Sequence, residues 1–356
     1  MNAYRQAYKI AAESKVIVNA GETAASKAKR FTSWFGSFSP NAADKPVSCN
    51  AWITKFGADD VNFSDRFTSV RLTFGGIYNR FFDKAPDGLV RFFQGPKSAK
   101  GESQEQKDYT EAIKADWPCD YRSVVAYVYG WESRPVIFLC DSFFDPPQGY
   151  KIDQAGVIIH ELSHKANKAF QVEDWAYEDD ECSEVALCVP DEAPKNADNY
   201  HLFASNPKGL GLGLEPGQWY AHFRTADGYY LSAGAGGTLN ATNTDSSLCS
   251  NCTFVLEAVG TTAAATAPSL KDGLTVRLLT IDRQNALSAT GGIVQTVSTS
   301  PKTFWIKKKG SWASTAEGEI TTGDEIYLDP VSDGTRLNVP TGAGNKSNIF
   351  IIELAR

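Results

Sequence analysis

The chain has 356 residues, which is room for two domains of ordinary size. Hydrophobic residues make up 42% and aromatic residues 12%, enough for packed cores, which sets wholesale disorder aside. A formal net charge of -7 argues against a general nucleic-acid binder, which needs a basic surface.

Residues 1–10 are polar and aromatic, without the apolar region of a secretory signal. That leaves a mature chain, export by another route, or retention in the cytoplasm. No later apolar run is long enough to span a bilayer. Residues 3–30 are rich in Ala, Lys and Glu and lack Pro, which predicts one or two amphipathic helices. Gly, Ser and Pro break that pattern over 31–44, and 61–84 mix helix and strand signals. Residues 123–129 and 135–139 are β-branched and aromatic, and 130–134 fit the turn of a hairpin between them. After a loop at 145–149, residues 152–170 read as a helix.

The run Gly-Leu-Gly-Leu-Gly at 209–213 reads as a flexible joint. Beyond it the chain is strand and turn, with a weak internal repeat. One unit holds residues 225–233 and closes on Phe254. The next holds 280–289 and closes on Phe304. The last holds 332–339 and closes on Phe350. The closing aromatics lie 50 and 46 residues apart. Three β-rich units of that length resemble a β-trefoil of the fascin-like or ricin-like kind. The Gln-x-Trp signature of the ricin type is absent, so a sugar ligand is weakly indicated, and an unrelated sandwich or barrel is the alternative. Tyr229, Tyr230 and Trp312 suit either sugar stacking or the core.

Seven cysteines are present, several in pairs of modest separation, which suits local disulfides and an oxidising compartment. Free buried thiols are the alternative. The odd count leaves at least one unpaired. Cys182 and Cys188 are expected to brace the loop after the histidine motif, and Cys249-x-x-Cys252 suits a tight disulfide better than a metal or redox site. Asn62, Asn240, Asn251 and Asn345 begin Asn-x-Ser/Thr acceptors.

The chemistry sits in His160-Glu161-Leu162-Ser163-His164, an H-E-x-x-H at the end of an apolar run. On a helix His160 and His164 share a face, and two imidazoles at that spacing can hold one zinc ion. Glu161 is then placed to take a proton from a metal-bound water. A third ligand is needed. Spacing does not choose among Glu173, Asp174, Glu178, Asp179, Asp180 and Glu181, and such an acidic run is commonly just a solvated face.

Together with Asp174-Trp175-Ala176-Tyr177, the motif resembles the deuterolysin-like (aspzincin) pattern of H-E-x-x-H followed by G-T-x-D-x-x-Y. Gln171-Val172 stands where Gly-Thr is usual. The segments 31–38, 126–129, 138–144, 153–156 and 196–203 resemble further family segments, over roughly residues 3–207, closest to the fungal peptidyl-Lys metalloendopeptidases. The resemblance implies His160, His164 and Asp174 as ligands of one catalytic Zn2+, Glu161 as general base and Tyr177 as oxyanion stabiliser. It implies a Cys119–Cys140 disulfide, and secretion. Asp198 matches an acidic substrate-binding position in the S1′ pocket, and His201 stands where the Lys-selective relatives carry a Glu. A looser preference for Lys or Arg at P1′ is the expectation, with a helix cap as the plain alternative for Asp198.

The expected fold is therefore an α+β zincin-type metallopeptidase domain (1–208), a Gly/Leu linker (209–214) and an all-β β-trefoil domain (215–356). The expected activity is zinc-dependent endopeptidase action on a protein or peptide substrate. The trefoil would target a glycan or protein, with no nucleic acid and no membrane span. The alternatives are a lectin-like binding protein, or a toxin with a narrow or degenerate protease domain.

Overall fold

The computed structural model describes residues 2–37, 45–57, 62–81, 90–94, 119, 124–129, 136–148, 150–166, 171–212, 214–233, 239–244, 249, 251–259, 269–271, 273–280, 285–287, 294–296, 303–309, 319–330, 339–340 and 346–355. The 130–134 turn, the 167–170 end of the predicted helix, Gly213, Trp312, Asn345 and much of the second and third repeat units lie outside them. The chain packs as two compact units. One comprises Met1–Ala11 and Thr32–Lys208, the other Ala12–Phe31 and Gly209–Arg356. The second unit thus includes residues 12–31, which lie within the 1–208 stretch expected to form the first domain.

The helices are α1 (Asn2–Asn19), α2 (Glu22–Lys27), α3 (Lys29–Phe35), α4 (Asn50–Phe56), α5 (Phe63–Asn79), α6 (Asp141–Phe144), α7 (Gln154–Ala166), α8 (Glu178–Cys188) and α9 (Ala197–Ser205). Helix α3 runs through the start of the stretch expected to be broken, because Phe31, Trp34 and Phe35 are all fully buried and packing outweighs local signals. Within the ambiguous 61–84 stretch, helix α5 covers Phe63–Asn79. Asn62 caps it by accepting from the Ser64 N–H at 3.0 Å, and Asp65 sits in its first turn. Its Gly75-Gly76 pair weakened the helix signal, and Gly76 has a packing reason. A Cβ there would lie 2.1 Å from the Ala166 carbonyl oxygen, so glycine lets α5 close on the end of α7.

A small sheet packs on α7 in the order β1 (Arg91–Gln94), β3 (Val136–Leu139), β2 (Ala126–Tyr127). β3 is buried along its length and pairs parallel with β1 and antiparallel with β2. Two disulfides close the unit, Cys119–Cys140 and Cys49–Cys188. The second corrects the expectation for Cys182 and Cys188. Cys188 bonds to Cys49 across 139 positions, while Cys182 is a free, buried thiol.

In the second unit six strands form a closed antiparallel barrel: β4 (Gln218–Thr225), β7 (Phe254–Ala258), β8 (Thr275–Thr280), β11 (Phe304–Lys308), β12 (Glu325–Pro330) and β15 (Phe350–Ala355), which returns to β4. β5 (Tyr230–Ala233) and β6 (Leu239–Asn243) extend from β4. β9 (Asn285–Leu287) and β10 (Val294–Thr296) extend from β8 in the same way. β13 (Val339–Pro340) pairs with β14 (Lys346–Ser347). The core takes alternate residues of each barrel strand, such as Ala221 and Phe223, Val276 and Leu278, Ile326 and Leu328. The three closing aromatics, Phe254, Phe304 and Phe350, all lie in it.

On the opposite parity His222 of β4 stands directly across from Glu353 of β15. Both are fully buried, and the buried Lys15 of α1 reaches Glu353. Its Nζ lies 3.9 Å from Glu353 Oε2 and donates to the Tyr230 hydroxyl at 2.9 Å. Tyr230 in turn donates to Glu353 at 3.1 Å, and Arg224 stands 3.7 Å away. Removing one member of such a buried network strands the others without compensation.

Two outcomes follow. Gly76→Ala, which at an ordinary helix site would add about 1 kcal/mol of stability, should instead destabilise the protein in denaturant unfolding because backbone must move. Lys15→Met should cost about 3 kcal/mol, and adding Glu353→Gln should recover part of that loss.

Candidate metal centre

Helix α7 carries His160 and His164 one turn apart on the wall of a cleft that Glu161, Asp174, Tyr177 and Asp198 also line. His160 Nε2 lies 3.0 Å from Asp174 Oδ1 and His164 Nε2 lies 3.3 Å from the same oxygen. The three potential ligand atoms all fall within 4.8 Å of one another, the arrangement needed to grip one small cation. Of the six acidic candidates, Asp174 is the one that joins the histidines in this group among the described residues.

The far side of each ring fixes its tautomer. His160 Nδ1 lies 2.7 Å from Asp198 Oδ1 and His164 Nδ1 lies 2.8 Å from the Val172 carbonyl oxygen. A carbonyl only accepts, and an ionised carboxylate likewise, so both Nδ1 atoms donate and both Nε2 lone pairs are left facing Asp174. Such a set of converging acceptors requires a cation, and two imidazoles with one carboxylate suit a divalent metal. The electrostatics agree. Burial opposes charge on His160, yet hydrogen bonds to Asp174 and Asp198 outweigh this and raise its pKa to about 10, so without a metal ion the ring takes a second proton at Nε2 and donates to Asp174 in the cation's place. Burial also works against the Asp174 anion, and the two histidines still hold its carboxyl well below the usual range. Glu161 is buried, and burial pushes its pKa up against the pull of both histidines.

The Asp174 segment is held from beneath by Asn196, which is fully buried. Its Oδ1 accepts from the Trp175 and Ala176 N–H groups at 2.8 and 3.0 Å. Its Nδ2 donates to the Ala176 carbonyl at 3.0 Å and to Asn199 at 2.7 Å. Backbone bonds link Glu173 to Lys195 and Ala197. The Trp175 ring packs on Phe56 of α4 at 4.6 Å. Asn199 carries the support onward, donating to the Trp34 carbonyl at 2.6 Å. The substitution of Gln171-Val172 for Gly-Thr leaves the site intact, because Val172 serves His164 through its backbone.

Tyr177 is half exposed, its ring nearly parallel to that of His160 at 6.2 Å. Burial, then the charges of Asp174, Asp198 and Glu161, raise its hydroxyl to about 12, so it remains a donor at neutral pH. Asp198 sits in the first turn of α9 but is turned toward the site. Its Oδ1 meets His160, and its Oδ2 accepts from the Glu178 N–H at 3.0 Å. His201, one turn along, lies 3.4 Å from Asp198. The remaining acidic candidates stand outside this three-residue group. Glu173 forms the bridge to Asn196, Glu181 accepts from the Tyr177 N–H at 3.0 Å, and Asp179 and Asp180 rim the cleft.

Asn196 and Asp153 have structural roles beyond those expected from the sequence. Asp153 immediately precedes α7 and accepts from the Gly156 N–H at 3.0 Å, a cap that the Asp before an apolar periodic run signals. The role of Asn196 depends on two loops meeting and has no local signal.

Residues 79–205 match the model of the aspzincin family, described as lysine-specific metallo-endopeptidase. A peptidyl-Lys metalloendopeptidase of Grifola frondosa is 33% identical over 91 residues, 26% of this chain and 26% of that protein. The peptidyl-Lys metalloendopeptidase of Armillaria mellea is 36% identical over 91 residues, 26% of this chain and 25% of that protein. An extracellular protease of Aeromonas hydrophila is 38% identical over 85 residues, 24% of this chain and 24% of that protein. The chain thus spans about a quarter of the length of the curated relatives it matches. These matches support the aspzincin family for this stretch.

Asn196→Ala leaves two backbone N–H groups of the Asp174 segment without their acceptor. It should cost about 2–3 kcal/mol of stability by denaturant unfolding and weaken metal binding in a chelator competition.

Proposed function

We propose that the chain is a zinc-dependent endopeptidase. The observation that carries this reading is the convergence of His160 Nε2, His164 Nε2 and Asp174 Oδ1 within 4.8 Å, with both Nδ1 atoms already committed to other partners. His160, His164 and Asp174 would hold the zinc. When bound, zinc polarises the scissile carbonyl and makes water a nucleophile at neutral pH. Glu161, buried beside the ligands with its pKa raised by that burial, accepts the proton of the attacking water and passes it to the leaving amine. The Tyr177 O–H donates to the oxyanion as it develops. The exposed edge position of that ring leaves it free to meet substrate.

The substrate is a protein or peptide. Asp198 and His201 line the same cleft, and the Asp179 and Asp180 carboxylates at its rim add negative charge. Together with the names of the relatives, this favours Lys or Arg at P1′. The C-terminal barrel is read as a β-trefoil, supported by three four-strand units that each lend a first and a last strand to the ring. Its role is to dock the enzyme on a glycan or protein surface. Secretion is favoured by three disulfides and by a relative named as an extracellular protease. Among the described residues no helix is long and apolar enough to cross a membrane.

Zinc content and cleavage of a peptide library, compared between the wild type and Glu161→Gln, test the reading. One bound zinc in both proteins is expected, with cuts on the amino side of Lys or Arg in the wild type. In the variant they should slow by about 100- to 10,000-fold. A wild type that binds no zinc sinks the reading.

A further inference from the structure

The start of α7 and the middle of α9 meet at a group of side chains in which Asp153 and Ser205 have no part in the proposed chemistry. Asp153, the cap of α7, lies with its Oδ2 3.5 Å from His201 Nε2, and the same oxygen accepts from the Ser205 hydroxyl. The other His201 nitrogen, Nδ1, lies 3.4 Å from Asp198 Oδ1. That oxygen is the one His160 Nδ1 reaches at 2.7 Å. A continuous chain therefore runs from Asp153 through His201 and Asp198 to His160. The packing is built around it. A Cβ on Gly156 would stand 2.1 Å from His201 Cδ2 and 2.6 Å from Asp153 Oδ2, so only glycine leaves room for the ring to sit between the two carboxylates.

The arrangement constrains Asp198 closely. Its Oδ1 faces imidazole N–H groups of His160 and His201, and its Oδ2 takes the Glu178 N–H. With both oxygens committed, the carboxylate cannot rotate without losing a donor. The plane of the His160 ring follows from the carboxylate it donates to. His201 itself is held in turn, because each of its nitrogens faces a carboxylate.

We propose that His201 and Asp153 are positioning residues of the metal centre, acting through Asp198 to keep His160 Nε2 aimed at Asp174 and His164. This rests on the reading of His160, His164 and Asp174 as zinc ligands. Neither residue touches the reacting atoms. Their effect is transmitted along the hydrogen-bonded chain, and it vanishes once Asp198 can no longer pass it on.

The test is the zinc dissociation constant of the full chain, measured by chelator competition with zinc ion alone. Thermal unfolding of the metal-free proteins serves as the fold control. Asp198→Asn should weaken zinc binding about 10- to 100-fold and His201→Phe about 10-fold. His201→Gln, whose amide can still donate to Asp198, should recover part of that loss. In the Asp198→Asn background, adding His201→Phe should change zinc affinity by less than about twofold, since coupled residues are not additive. Wild-type affinity in His201→Phe overturns the proposal. So does a double variant whose losses multiply, because His201 would then act independently of Asp198. Should His201→Phe fail to fold, Asp153→Asn carries the test, with about a threefold loss expected and an unchanged constant fatal. A wild type that binds no zinc instead removes the underlying reading, and the two failures are thereby distinct.

Discussion

Everything at the candidate centre depends on how the two nitrogens of His160 are divided. Nδ1 is committed to Asp198 and Nε2 faces Asp174, and both bonds survive nearly complete burial of the ring. Burial alone would drive His160 neutral, and Asp174 would lose the Nε2 proton that faces it. The carboxylates win, and the result is a buried spot that demands positive charge. That demand is what turns a helix with two histidines into a place for a cation. The rest of the unit answers to it. α7 presents the rings, α9 supplies Asp198, and the segment before α8 brings Asp174 across.

The supports sort by how far they reach. The cap at Asp153 and the close approach at Gly76 are local or pairwise devices that set where α7 begins and how near α5 comes. Asn196 works at longer range, satisfying the backbone of a segment with no helix or sheet of its own. The barrel is organised by another rule. Alternate residues of each barrel strand enter one core, and the buried charges around Lys15 and Glu353 lie on the other face of its strands.

The histidine motif, its helix and the core aromatics of the barrel were legible because each is a pattern local in sequence, carried by period or spacing. His160, Glu161, His164 and the closing aromatics all show themselves this way. The placing of Asp174, among its acidic neighbours, beside the histidines was signalled only through resemblance, since a residue one loop away has no fixed spacing. Helix α5 was hidden by Gly75 and Gly76, whose purpose appears only against Ala166. The pairing of Cys188 with Cys49 and the membership of residues 12–31 in the second unit are long-range facts, decided by which surfaces meet and invisible to any window of sequence.

The Cys49–Cys188 bond has one more consequence. It encloses α5, the small sheet, α7 and the Asp174 segment within a single covalent ring, while α9 and its Asn196 and Asp198 stay outside. A backbone scission anywhere inside that ring opens it without releasing a fragment. Both new ends remain tethered to one body until a reductant arrives. A molecule nicked in this region keeps its histidines and its carboxylates in one piece of matter, and its lifetime in a protease-rich setting is set by thiol chemistry as much as by peptide-bond cleavage.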